Sequence, residues 1–163
     1  MIVGAGVAGL SLACSLAKRN AGLITLIDQV DKIGSLEQAS SVNCGIVVSP
    51  VYPGDSYLDN ELYRISQKVS EDLGDTIKYE KSGSLYPCLT ADSVEWAKDF
   101  VKEYHESFAP GTGEKKDGDA AIYLERADAL LREPLFGPEV LGALYCPGDG
   151  HINPKKMIRE LER

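Results

Sequence analysis

The sequence has few of the residues that mark common metal-binding and hydrolytic sites. Its two histidines lie far apart at His105 and His151, so they give no metal site. Its four cysteines contain no Cys-x-x-Cys pair, so neither a zinc site nor a redox dithiol is indicated. There is no Gly-x-Ser-x-Gly segment of a serine hydrolase and no paired-carboxylate site of a glycoside hydrolase. The chemistry must therefore be sought elsewhere in the chain.

Positive charge and long apolar runs are also scarce. Seventeen basic residues stand against 25 acidic ones, which gives a net charge of −8. This balance argues against nucleic acid or an anionic membrane surface as the main partner, because both require a positive footprint. No apolar run approaches the roughly 18 residues of a transmembrane helix. The scattered cysteines predict reduced, mostly buried thiols in a reducing intracellular compartment, either the cytoplasm or the mitochondrial matrix.

The chain does contain a glycine-rich turn between a strand and a helix. Ile2 and Val3 lead into Gly4-x-Gly6-x-x-Gly9, and apolar residues at helical spacing then predict a helix over residues 8–19. A continuous apolar run over residues 23–27 predicts a strand buried on both faces of a parallel sheet. The segment is therefore predicted to be a βαβ unit with a right-handed crossover.

Each glycine of this turn has a physical role in dinucleotide binding. The first permits the tight turn, the second lets a pyrophosphate approach the backbone, and the third lets helix and strand pack closely. Asp28 follows Gly9 by 19 positions, where its carboxylate can accept hydrogen bonds from ribose hydroxyls. An acidic residue at this place disfavours the 2′-phosphate of NADP, which leaves NAD and FAD open.

The rest of the chain predicts further helices and strands separated by loops. Residues 34–57 are predicted to be a long loop with a short strand at 46–48, and residues 109–119 a second, solvated loop. Apolar residues at Leu58, Leu62, Ile65, Val69 and Leu73 mark one face of an amphipathic helix that Gly74 ends. The predicted elements after it are a hairpin of strands 77–80 and 84–88, a helix over 91–107, a helix over 126–132, a strand over 141–146, and a helix capped by Asn153.

The ends of the sequence suggest that more chain is needed to complete this fold. The first strand has two residues before Gly4, and only two convincing parallel strands are present in the nucleotide-binding region. We therefore expect either part of a longer protein or half of a site that a companion chain completes.

Three stretches of the sequence resemble FAD-dependent oxidoreductases of the D-amino-acid oxidase and glycine oxidase type, the DAO family. They are residues 2–28 with the glycine motif, residues 39–46 (similar to the family's Ala-Ser-x-x-Asn-x-Gly segment), and the later part of the chain with residues 79–85 and 147–154. The resemblance covers nearly the whole chain but only the first half of a family member. It implies FAD as the cofactor, and it favours FAD over NAD.

The resemblance also implies a fold and a site. The fold is α/β, with a Rossmann-type FAD-binding βαβ at residues 1–50, an interleaved α+β substrate-type domain at 51–146, and a return to the FAD-binding domain at 147–163. The fold is incomplete at its C-terminal side. The cofactor-binding residues implied are Gly4, Gly6, Val7, Ala8 and Gly9 for the pyrophosphate, Asp28 and Gln29 for the adenosine ribose, Ser40 and Ser41 for phosphate or ribitol oxygens, and Asn43, Gly45 and Ile46 beside the isoalloxazine ring.

The implied reaction is hydride transfer from an amino acid or an N-methylated amine to the flavin. No catalytic acid or base is named, because a neutral amine is often a sufficient hydride donor. Three alternatives stay open: a non-catalytic flavoprotein-like subunit of a larger assembly, an NAD-dependent enzyme, and a 2-hydroxy-acid dehydrogenase of the same family. Residues 47–49 (Val, Val, Ser) lack the histidine of related 2-hydroxyglutarate dehydrogenases, which lowers the last. Tyr52, Tyr57 and Tyr86 are candidates for lining a substrate pocket.

Overall fold

Helices and strands are interspersed along the chain. A computed structural model describes residues 1–48, 57–107 and 120–163, except for the side chains of residues 57–61 and 106–107. Both predicted loops lie partly outside the described residues, as does Tyr52, and the side chain of Tyr57 is also outside them. The elements are β1 (Ile2–Val3), α1 (Val7–Lys18), β2 (Leu26–Ile27), α2 (Ala39–Val42), β3 (Ile46–Val47), α3 (Tyr57–Ile77), β4 (Ser84–Cys88), α4 (Ala91–Ser107), β5 (Ile122–Glu125), α5 (Arg126–Arg132), β6 (Gly142–Cys146), β7 (Gly150–His151) and α6 (Pro154–Glu162).

The chain divides into two compact units, each made of segments that are not contiguous in sequence. The first unit contains residues 1–46, 70–80 and 151–163, and the second contains residues 47–69 and 81–150. Strands β3 and β7 pair in a two-stranded sheet. No helix within the described ranges is long and apolar enough to cross a membrane.

The first unit has a parallel strand pair and three helices. Strand β1 pairs with β2, with Ile2 opposite Leu26 and Val3 opposite Ile27. Helix α6 packs against α1 and α2, and its Ile158 is almost fully buried. As predicted, Asn153 caps this helix: its Oδ1 accepts a hydrogen bond from the Lys156 amide at 3.0 Å, and proline follows it.

The second predicted strand of this unit was wrong in length and in burial. Strand β2 is confined to Leu26–Ile27, whereas residues 23–27 were predicted. Leu23 is 96% exposed and Val3 is 76% exposed, so neither has the cover of a strand buried on both faces. The physical reason is that β2 has β1 as its partner in a two-stranded sheet, and β-branched composition alone does not provide the layers that bury a strand.

The second unit is a three-stranded antiparallel sheet with helices packed against it. Strand β6 lies between β4 and β5, and all five of its residues are buried. Helix α4 packs on all three strands. As predicted, α4 turns Ala97 and Tyr104 into the core and partly buries Val94 and Val101. The full core cluster consists of Cys88, Ala97, Phe100, Tyr104, Ala121, Leu144 and Cys146.

The predicted hairpin of strands 77–80 and 84–88 was wrong. Strand β4 pairs with β6, with Ser84 opposite Cys146 and Cys88 opposite Gly142. Glu80 exchanges two backbone hydrogen bonds of 2.9 Å with His151 instead. Both segments found distant partners, because a short turn between two apolar runs permits a hairpin but does not require one.

Helix α3 also departs from its prediction in two ways. It does not end at Gly74 but kinks there, where φ is +39°, and continues to Ile77. On its predicted apolar face, Leu62, Ile65 and Val69 are exposed. Residues 39–42, predicted as loop, form the short helix α2, and residues 150–151, predicted as turn, form β7.

The cysteines differ in burial, and this predicts their reactivity. All four are free: Cys88 and Cys146 are buried, but Cys44 is exposed. Burial, and then the nearby Asp149 charge, raises the pKa of Cys146 to about 12, and burial raises the pKa of Cys88. At pH ~8 we expect an alkylating reagent to modify Cys44 rapidly and Cys88 and Cys146 hardly at all, because the thiolate is the reacting form. Mass spectrometry of digested samples measures each site.

The same samples unfolded in denaturant provide the control, in which the cysteines should react at similar rates. Because the pKa of Cys146 is raised in the folded state, its contribution to folding stability is present below its ordinary pKa of 9.0 and is lost as the pH rises toward about 12. Rapid alkylation of folded Cys146 at pH ~8 would contradict the described core.

Candidate functional site

The candidate site lies at the carboxyl ends of β1 and β2. Because the two strands are parallel, both chains leave the pair at the same edge. The Gly4 amide donates to the Ile27 carbonyl at 2.7 Å, which extends the pairing into the glycine turn. A cavity of about 400 Å³ opens there, lined by Val3, Gly4, Ile27, Asp28 and Gln29. The first predicted phosphate residue and both predicted ribose residues therefore share one cavity.

The glycine turn has the geometry that its sequence predicts. Gly4 has a φ of +101°, a conformation that residues with a side chain rarely adopt. A Cβ atom on Gly9 would fall on the carbonyl oxygen of Gly4, so only glycine allows helix α1 to pack this closely. Gly6 has an ordinary extended backbone, but a Cβ on it would lie 2.8 Å from the Ser40 hydroxyl oxygen. The turn is thus a narrow backbone cradle.

The amino end of helix α1 meets the segment that was predicted to bind phosphate or ribitol. Val7, Ala8 and Gly9 form the first turn of the helix, whose N–H groups have no acceptors within the helix. Ser40 Oγ accepts one of them, the Val7 amide, at 3.1 Å. A hydroxyl can donate while it accepts, so the Ser40 hydrogen remains available to an anion beside the helix dipole.

Asp28 is held by the glycine turn itself. Its Oδ2 accepts from the Ala5 amide at 2.5 Å, and its Oδ1 accepts from the Val30 amide at 3.1 Å. These bonds, that of Ala5 first, lower the pKa of Asp28 below its ordinary value of 3.8. The carboxylate is therefore ionised at neutral pH, which is the form that accepts hydrogen bonds from ribose hydroxyls.

Sequence reasoning missed Gln38, which also contacts Asp28. Its Nε2 donates to Asp28 Oδ2 at 3.2 Å and to the Ala5 carbonyl at 3.3 Å, and its Oε1 accepts from the Gly34 amide at 2.6 Å. A glutamine carries no pattern that reports such contacts. The available signal was its place directly before the Ala39-Ser40 segment.

The remaining predicted site residues lie on and after α2. Ser41 is buried. Asn43 donates to the Ser40 carbonyl at 2.8 Å and accepts from the Gly45 amide at 2.7 Å, so its amide already orders the loop. Gly45 has a φ of +69°, and a Cβ on it would meet the Ile152 carbonyl. Ile46 is 57% exposed. Their predicted position beside the flavin ring stays a prediction.

These residues fit a dinucleotide such as FAD. The cradle at Gly6 is open only because that residue has no side chain. The Ser41 Oγ is buried and has no hydrogen-bond partner within the described part of the chain. Buried hydroxyls are normally paired, so an unpaired one next to the cradle suits a ligand oxygen.

Comparison with known proteins gives the family. The model of the family described as "FAD dependent oxidoreductase" (DAO) matches residues 1–163, so the chain belongs to that family. The predicted family, the mixed α/β fold and FAD as the family's cofactor are thereby confirmed.

Individual relatives agree with this assignment. The chain is 30% identical over 170 residues to one of the subunits of opine oxidase from Rhizobium meliloti, covering 98% of this chain and 43% of that protein. It is 25% identical over 164 residues to human mitochondrial dimethylglycine dehydrogenase, covering 99% of this chain and 17% of that protein. Glycine oxidase from Bacillus cereus superposes with a TM-score of 0.73 at 23% identity, covering 98% of this chain and 41% of that structure. The chain spans less than half the length of each.

Replacing Asp28 by alanine should weaken FAD binding. The substitution removes a charged acceptor and one anchor of the glycine turn, and we expect the dissociation constant to rise by about tenfold to a hundredfold. Titration of FAD followed by its fluorescence measures the change. Asp31→Ala, three positions along the same exposed segment, is the matched control and should leave the affinity unchanged. Equal affinities for Asp28→Ala and the original chain would remove Asp28 from the site.

Proposed function

We propose that this chain forms the FAD-binding part of an oxidoreductase that oxidises an amino acid or an N-methylated amine by hydride transfer to the flavin. The observation that carries the proposal is the glycine cradle with Asp28 and Ser40 around it, in a chain of the DAO family. The names of its relatives support the substrate class: opine oxidase, dimethylglycine dehydrogenase and glycine oxidase act on amino acids or amines.

The residues of the first unit would divide the cofactor among them. Gly4, Gly6 and the first turn of α1 would hold the pyrophosphate, because open backbone N–H groups and the helix dipole favour negative charge. Asp28 and Gln29 would hold the adenosine ribose. Ser40 and Ser41 would donate hydroxyl hydrogens to phosphate or ribitol oxygens, and Asn43, Gly45 and Ile46 would lie beside the ring. When bound, FAD supplies the hydride acceptor, and the protein supplies orientation and electrostatics.

The proposed FAD-binding domain is discontinuous in sequence. Residues 1–50 and 147–163 would belong to it, and residues 51–146 would form the substrate-type portion. The antiparallel sheet β4-β6-β5 lies within that middle segment. Tyr86 of this sheet, a proposed pocket residue, already donates its hydroxyl to the buried Asp149 at 3.4 Å.

More polypeptide than these 163 residues would complete the FAD-binding unit. Val3, Leu23 and Ile27 are apolar and exposed around the β1–β2 pair, which suits a layer added by further chain or by a companion chain. The R. meliloti relative is named as one subunit of an opine oxidase, so that enzyme is named as having more than one. A reducing intracellular compartment remains our proposal for the location.

The decisive experiment is a visible absorption spectrum across the size-exclusion peak, followed by anaerobic addition of substrates. We expect flavin bands at near-stoichiometric level, bleached by glycine, N,N-dimethylglycine or another small amine. Bleaching by a small 2-hydroxy acid alone would transfer the proposal to hydroxy-acid oxidation. Bound flavin that none of these compounds reduces would favour a non-catalytic subunit. A compact, colourless chain would overturn the cofactor assignment for this chain.

A further inference from the structure

Gln38 is a buried polar residue beside the proposed cofactor site. It is 7% exposed, and both ends of its side-chain amide are hydrogen-bonded to other parts of the first unit. It occupies the N-cap position of helix α2, yet its side chain makes no cap hydrogen bond. Its amide is thus directed away from its own helix and toward Asp28 and the glycine turn.

The contacts of Gln38 determine which oxygen of Asp28 is engaged. Oδ2 accepts two hydrogen bonds, from the Ala5 amide and from Gln38 Nε2, whereas Oδ1 accepts one, from Val30. A carboxylate offers about two acceptor sites on each oxygen, so Oδ1 keeps one. A glutamine is also neutral, so it orients the carboxylate without cancelling its charge, as a lysine or arginine in its place would.

We propose that Gln38 is a positioning residue that saturates Asp28 Oδ2 and leaves Oδ1 to accept from a hydroxyl of the adenosine ribose. This inference rests on the proposed function, because it takes the ligand of Asp28 to be FAD. Gln38 itself does not touch the ribose. It acts through Asp28, and it also connects Asp28 to the Gly34 amide and to the carbonyl of Ala5 in the phosphate turn.

A double-mutant cycle on FAD affinity tests the coupling. We expect Gln38→Met, which keeps the length of the side chain but removes its donor, to weaken FAD binding about tenfold. In an Asp28→Asn background the same change should cost less than about twofold, because the carboxylate that Gln38 orients is gone. Gln67→Met is the matched control, since Gln67 Nε2 donates to the Gly148 carbonyl within the second unit.

A cofactor analogue separates positioning from general loosening of the fold. We expect the original chain to bind FAD about tenfold more tightly than FAD lacking the 2′-hydroxyl of its adenosine ribose. Gln38→Met should lose this discrimination. A residue with a merely structural role would weaken the binding of both compounds equally.

A charge variant adds a readout that requires no cofactor. In Gln38→Glu the new carboxylate lies next to Asp28, and the like charges raise the pKa of Asp28 measured by NMR in the free chain. FAD affinity should fall at pH ~8 and recover toward pH ~5, where the pair shares one proton and regains a hydrogen bond. Gln67→Glu should show neither effect.

The outcomes distinguish this inference from the function on which it rests. If the original chain binds FAD, but Gln38→Met binds it equally well or weakens FAD and its deoxy analogue alike, the positioning role is wrong and the proposed function stands. An unchanged Asp28 pKa in Gln38→Glu also overturns it. If the original chain does not bind FAD, the proposed function fails and takes this inference with it.

Discussion

Replacing Gly6 by valine should abolish FAD binding. The first atom of the new side chain would lie 2.8 Å from the Ser40 hydroxyl oxygen, in the cradle where the backbone must meet the pyrophosphate. The backbone of Gly6 is extended, with φ of −76° and ψ of −175°, so valine can adopt it. We therefore expect a folded chain that elutes without flavin bands, with an FAD affinity at least about a hundredfold lower.

Ala17→Val is the matched control for this experiment. It adds a branched side chain to the same helix α1 at an exposed position remote from the glycine turn. Circular dichroism of both variants checks that helix content is kept. Stoichiometric flavin in a folded Gly6→Val chain would show that the pyrophosphate does not approach this glycine.

Replacing Leu144 by alanine should destabilise the second unit by about 2–5 kcal/mol. Leu144 is 1% exposed on the central strand β6, where it belongs to the core cluster between the sheet and helix α4. The truncated side chain leaves a cavity, because close-packed neighbours relax only partly into the space. Such a loss is a large part of the stability of an ordinary domain, which is about 5–15 kcal/mol.

Trp96 provides the signal for this measurement. It is the single tryptophan of the chain, and it lies on α4 with its ring centroid 5.5 Å from that of Phe100 in the same core. Urea unfolding followed by its fluorescence reports on the second unit. Leu131→Ala, at a leucine that is 82% exposed, should change the unfolding free energy by less than about 0.5 kcal/mol. Equal losses for the two leucines would contradict the described core.

Several features followed from short stretches of sequence. The glycine turn, the first turn of α1 and the position of Asp28 after β2 depend on residues whose spacing fixes a backbone conformation. Helices α4 and α5 are also encoded locally, by apolar periodicity and by Pro134 after the end of α5. The Asn153 cap acts within three residues of itself. Such signals survive in sequence because the interacting groups are close together along the chain.

Other features depended on partners that no local pattern names. Strand β4 pairs with β6, more than 50 positions away, and not with the segment that precedes it. The apolar run around β2 predicted burial, but Leu23 is exposed because burial depends on a covering layer and not on composition. The exposed face of α3 has the same explanation.

The candidate site shows the same division. Sequence by itself determined that a dinucleotide turn and a ribose-binding carboxylate lie at the ends of two parallel strands, because glycine conformations and strand periodicity are local properties. Only the tertiary structure brought Ser40 to the Val7 amide and Gln38 to Asp28, across separations of 33 and 10 residues. Hydrogen-bonding side chains accept any partner that the fold brings within reach, so the fold decides which partner they have.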